Sequence, residues 1–176
     1  MTDKQRAFAD RLQNFQPAPW ELIPDLGLYM DQVITFVERQ CKELFMEGDR
    51  IFTPSMINNY VKIGLVGRPV AKKYDRDQLA QLLMICVLKQ SISTENMKTL
   101  VQPPENTTMR AHYEQFCETE QAVFSALSNT LPLPVLTCAV QGAAYHLLSN
   151  TLLHTPPPPA KETTPKAEAA KQPKKK

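Results

Sequence analysis

The run LLMICVL at 82–88 has few environments open to it. It is apolar on every side of a helix and on both faces of a strand, so periodicity alone leaves both readings open. Its flanks decide. Asp75, followed three residues later by Gln78, is a capping-box signal for a helix start, and the residues between are helix formers. The expected element is a helix over about 76–90, and a helix with no polar face belongs at the centre of a core, with other elements laid around it.

The rest of the chain supplies those elements. Phe8, Leu12 and Phe15 recur at helical spacing within 1–15; PAPW and IPDLG then break the chain into a loop in which Trp20 is the expected packing anchor. Over 28–45 the apolar residues, from Met30, Val33, Ile34 and Val37 to Phe45, follow the i, i+3, i+4, i+7 pattern, and Gly48 ends the run. Thr53 then Pro54 is a hydroxyl N-cap with proline at the first helical position. The short helix they open turns Met56, Ile57, Tyr60 and Val61 inward and stops at Gly64. A further helix starts at Ser93 or Thr94 and is closed off by Pro103–Pro104. Residues 106–131 form a long amphipathic helix, and Pro132 and Pro134 lead into a last one over 135–153, rich in small residues such as Ala139, Gly142 and Ala143. The ending TPPPPAKETTPKAEAAKQPKKK is of low complexity, cannot bury a core and is expected to be disordered.

The reading is therefore an all-α chain in four parts: an N-terminal helix and loop (1–19), a helical unit (20–103), a two-helix C-terminal hairpin (104–154) and a basic tail (155–176). Only 5 glycines and few strand-like runs argue against an all-β fold. No apolar run approaches the ~18 residues of a membrane span, and MTDKQRAFADRLQNF is amphipathic rather than a leader, so the expected compartment is the cytoplasm. Cys41, Cys86, Cys117 and Cys138 lie far apart within apolar helical patterns, which suits buried reduced thiols and no metal. His112, His146 and His154 have no thiol or carboxylate partner at a diagnostic spacing, and no phosphate-cradling glycine loop or nucleophile elbow is present. No catalytic residue, cofactor or small-molecule ligand is implied.

Charge is more informative. Residues 50–90 carry seven Lys and Arg against two Asp, and the tail adds six Lys, on an otherwise acidic chain. A basic segment of this kind faces a partner. Within it, Ser55, Asn58, Asn59 and Lys62 share the outward face of the short helix by spacing. Asn pairs bidentately with adenine, Ser bonds either base edge, and Lys reaches guanine or phosphate, so the face suits a recognition helix in a major groove; it is equally a solvated, Asn-rich surface. The next stretch, GLVGRPVAKKY, brings Arg68, Lys72 and Lys73 around a proline-stiffened turn, with Tyr74 and Arg76 at its return, as expected of phosphate contacts beside a groove.

INNYVKIGLV, the basic loop and KKYDRDQLAQLLMICVLKQSIS together resemble the winged helix-turn-helix of the mercury-resistance-regulator (MerR-like) class. Over most of 20–105, through LYMDQV, TPSMINNYVK and KKYDRDQLA, the chain is more closely similar to an uncharacterised family of Gram-positive bacteria, the domain of unknown function 1836. The resemblance implies that Asn58, Asn59 and Tyr60 lie in the second helix of a helix-turn-helix, Lys72 and Lys73 in a wing, and Tyr74–Arg76 at its return. Some 50 residues precede that second helix and Pro103–Pro104 interrupt the segment after the wing, so that class's mode of dimerisation is not implied. The expected function is sequence-specific DNA binding as a transcriptional regulator, with DNA as partner and a homodimer through the C-terminal helices. The alternative is a protein-interaction adaptor that uses a winged-helix shape without DNA.

Overall fold

The Asp75 N–H donates to Gln78 Oε1 at 2.8 Å and the Gln78 N–H donates to Asp75 Oδ1 at 3.0 Å, a closed capping box. The helix it starts, α4 (Arg76–Leu88), is the axis of the molecule: nine of its 13 residues, Gln78 through Cys86, are buried. The computed structural model describes residues 2–45, 48–128, 130 and 133–155, and among these it is all-helical. Around α4 pack α2 (Met30–Cys41), α5 (Thr94–Val101) and α6 (Met109–Ser128), while α1 (Asp3–Asn14) lies along α6. The short α3 (Pro54–Lys62) docks on α2, and α7 (Val135–His154) rests against α5. Extended pairing among the described residues is confined to two isolated antiparallel bridges, Leu28–Tyr74 and Val70–Lys73.

Local chemistry explains the boundaries. Thr2, Thr53 and Ser93 accept from the third backbone N–H of the helices they precede, relieving donors that the first helical turn leaves without partners. Gly64, at φ 72°, ends α3 and returns the chain so that the Leu65 N–H reaches the Tyr60 carbonyl at 2.9 Å. α6 begins at Met109, later than the 106 read from the pattern, because Asn106 adopts φ 64° and Thr108 caps the helix through the Ala111 N–H at 3.2 Å.

Two expectations need correcting. Cys41 and Cys86 are buried, but Cys117 is only half-buried and Cys138 is exposed, because α7 buries none of its residues. α6 uses its apolar stripe on α1 and α4 while α7 leans on α5, so the pairing expected within 104–154 is not the principal packing of either helix. The tail from residue 156 on lies outside the described residues. No helix among them is long and apolar enough to cross a membrane.

A buried carboxyl group sits in the core where α2, α4, α6 and the segment that follows α1 meet. Glu120 is 6% exposed, in a small space shared with Phe15, Ala18, Cys41 and Tyr113, and its Oε1 has no hydrogen-bond partner. Burial pushes its carboxyl up to about 7. Tyr113 is satisfied, donating its hydroxyl proton to the Ala18 carbonyl at 2.9 Å.

Candidate nucleic-acid interface

α3 has two unlike sides. Ile57 and Tyr60 are buried and Met56 and Val61 half-buried, whereas Ser55, Asn58, Asn59 and Lys62 are all exposed. The buried side is anchored by Tyr60, which meets Phe52 edge-on with centroids 6.0 Å apart. Burial raises the Tyr60 phenol above its ordinary range, so the ring stays protonated and neutral. Ahead of the helix, Ile51 and Phe52 are drawn into the core. Lys89, just past the end of α4, bonds the Ile51 carbonyl and lays its ammonium 4.5 Å from the Phe52 centroid and 5.3 Å from that of Phe45. The approach to α3 is thereby tied to the central helix.

The loop after α3 is equally constrained. Leu65 and Val66 are 0% and 1% exposed, so its first residues belong to the core. Three glutamines hold the loop from Leu65 to Arg68. Gln81 Oε1 accepts from the Gly67 N–H at 3.2 Å, Gln78 Nε2 donates to the Arg68 carbonyl at 2.9 Å, and Gln102 Nε2 donates to the Leu65 carbonyl at 3.1 Å. Gln81 Nε2 in turn donates to Gln102 Oε1 at 3.3 Å, which links α4 to the end of α5. Gln78 thus caps α4 with its oxygen and grips the loop with its nitrogen. Gly67 lies close under this clamp: a Cβ there would come 3.2 Å from Gln78 Nε2.

Beyond Arg68 the chain makes a tight reversal. Val70 and Lys73 exchange both backbone hydrogen bonds, at 2.9 and 3.1 Å, and the two residues between them, Ala71 and Lys72, have φ of 49° and 65°. Positive φ at both central positions is the signature of a type I′ turn, which suits the right-handed twist of paired strands. Tyr74 then exchanges a second pair of bonds with Leu28, each 2.9 Å, so the returning arm pairs with the segment just before α2. Gly27 is required there, since a Cβ would fall 2.9 Å from Lys73 Cβ.

The cations separate into two groups. Arg68, Lys72 and Lys73 are exposed, with Lys73 Nζ 5.2 Å from the Tyr29 centroid. Tyr74 and Arg76, expected among the phosphate contacts, are engaged by the protein itself. Tyr74 is 3% exposed and its phenol is raised by burial. Arg76 stacks 5.8 Å over the Trp20 ring, pairs with Asp25 at 3.6 Å and leaves its Nε buried. Both brace the return of the turn. One exposed cation escaped sequence reasoning: Lys98, on α5, has its Nζ 3.5 Å from where a Gly64 Cβ would stand. It therefore sits at the junction of α3 and the loop. No local motif marks it, because only the packing of α5 brings it there.

Two of the three histidines make structural contacts: His112 Nε2 lies 2.8 Å from the Leu100 carbonyl oxygen, and His146 Nε2 lies 3.1 Å from Asn150 Nδ2. Among the described residues no group of three His, Cys, Asp or Glu could hold a metal ion.

The family model described as "Domain of unknown function (DUF1836)" matches residues 18–122, from the Trp20 loop through most of α6. No curated protein and no solved structure matches the chain.

Proposed function

Because the chain belongs to the DUF1836 family, a domain of unknown function, its role has to be argued from its surface, and we propose that it is a sequence-specific DNA-binding regulator of transcription. The observation that carries this reading is the continuity of α3 with the basic turn. A helix buried on one side presents Ser55, Asn58, Asn59 and Lys62 on the other, and passes through a clamped loop to Arg68, Lys72 and Lys73. Base-edge readers and phosphate binders are then held by one rigid core. Preorganisation of this kind lowers the ordering cost of binding.

In this reading the unit is a reduced winged helix-turn-helix of the MerR-like class. α2 and α3 are its helix pair, and the Val70–Lys73 turn is a wing shortened to two paired residues. The Leu28–Tyr74 bridge supports that reading, because it gives the turn the third extended segment on which a wing rests. Backbone phosphates would be met by Arg68, Lys72, Lys73 and Lys98, with Arg76 positioning the turn from below. Such a role belongs in the cytoplasm, where the buried thiols Cys41 and Cys86 stay reduced.

Selection from a random duplex pool, followed by titration of the winning site over a range of salt, tests the proposal. Arg68→Ala, Lys72→Ala and Lys73→Ala are each expected to weaken binding to all sequences alike and to lower the salt slope by roughly one unit. Asn58→Ala or Asn59→Ala is expected to cost about 1–3 kcal/mol of discrimination at one base pair with the slope nearly unchanged. Selection that enriches no sequence, with binding indifferent to the turn mutants, would favour the adaptor reading instead.

A further inference from the structure

α7 is an anomaly in a water-facing position. It runs for 20 residues without a single Asp, Glu, Lys or Arg, and none of its side chains is buried. Its two sides nevertheless differ. His146, Ser149, Asn150 and Leu153 are half-buried and share the side turned to α5, where Asn96 Nδ2 donates to Asn150 Oδ1 at 3.2 Å. The opposite side carries Leu136, Val140, Tyr145, Leu147, Leu148 and Leu152, all between 54% and 75% exposed.

Six large apolar residues, each more than half exposed along one helix, are a larger contiguous apolar surface than most monomers leave open to water. The distribution is ordered. Leu136, Val140, Ala144, Leu148 and Leu152 follow one another every four residues and form a single ridge, with the smallest side chain at both its centre and the midpoint of the helix. A two-fold axis at Ala144 would bring two such helices together antiparallel. Leu136 would then meet the partner's Leu152, and Val140 the partner's Leu148. The ridge is its own complement.

We infer that the outward ridge of α7 is the interface through which two copies of this chain form an antiparallel dimer, with Ala144 on the two-fold axis. A second copy is favoured over a different protein because the ridge offers no charge by which to select one, and depletion of charge marks the core of permanent self-association. A closed two-fold contact also covers the ridge of both copies at once and leaves no free end. Dimerisation through α7 stands independently of DNA binding.

Sedimentation of the full chain at tens of micromolar is expected to give a dimer. Leu148→Glu, and separately Val140→Glu, should weaken it by roughly 100-fold, since each places a charge in a desolvated contact in both copies. Helix content should not change, because both side chains are already more than half exposed in one copy. Ala144→Cys in a Cys138→Ser background should give a covalent dimer under mild copper-phenanthroline oxidation, whereas Ser149→Cys, on the α5 side, should not. A monomeric wild type, a dimer indifferent to both Glu variants, or failure of Ala144→Cys to cross-link would overturn the inference.

Discussion

Among the described residues, Lys89 and Glu120 are side chains whose ionisation the core has to accommodate. Desolvation lowers the Lys89 ammonium below its ordinary range, and the charge is retained by the Ile51 carbonyl and two aromatic faces. Lys89→Ala is expected to destabilise the fold by about 2 kcal/mol, combining a charged hydrogen bond with cation–π contact. Faster hydrogen exchange at 51–57 would show that the entry to α3 had loosened. Glu120 works in the other direction. Its ordinary value is 4.5 and its buried value about 7, so between the two the native chain holds a proton that the unfolded chain has released. The corresponding stability is whole below the lower value and is lost as pH rises through the upper one, a loss of up to about 3 kcal/mol. Glu120→Gln cannot ionise, and its unfolding midpoint should therefore fall less than that of the wild type between about pH 5 and pH 8.

At the scale of single elements, the Val70–Lys73 reversal holds two non-glycine residues in left-handed backbone, a conformation costing roughly 1 kcal/mol or more at each. Replacing Ala71–Lys72 with Asn-Gly, the pair this turn type prefers, is expected to raise stability by about 1–2 kcal/mol in a chemical denaturation curve. Affinity for DNA should fall in the same protein if Lys72 binds phosphate, so stability and binding would move in opposite directions. The turn's geometry could not be read from AKK, which carries no Gly or Asn where positive φ is needed. The glutamine clamp was hidden for a different reason: its bonds span 10 to 37 residues of sequence, and nothing local announces them. What could be read was local. The Thr53–Pro54 start, the Asp75/Gln78 box and the two-sided spacing of α3 each act within a helical turn or two, and the structure carries all three. Lys98 and the inward turn of Arg76 depend on which helix ends up beside which, and that is decided by packing.

For the whole molecule, the family match and the burial pattern draw nearly the same boundary. Residues 18–122 include α2 to α5 and most of α6, while α7 lies beyond them and buries nothing. Truncation after Ser128 should leave the unfolding midpoint of the dilute protein within a few degrees of wild type, because no core contact is removed. At high concentration the full chain should melt higher than the truncated one, since association stabilises only the folded partner. A large loss at low concentration would mean that α7 supports the core from its α5 side. The all-round apolar character of α4 has a further consequence during synthesis. Its partners lie on both sides of it in the chain, with α2 made before it and α5 and α6 after, so LLMICVL leaves the ribosome well before α6 can cover it. At ordinary elongation rates some thirty residues take on the order of 2–6 s, during which a β-prone, uncharged heptapeptide is open to its neighbours on the same message. Asp77 and Lys89, the nearest charges before and after it, are then gatekeepers of the nascent chain before they become parts of the fold.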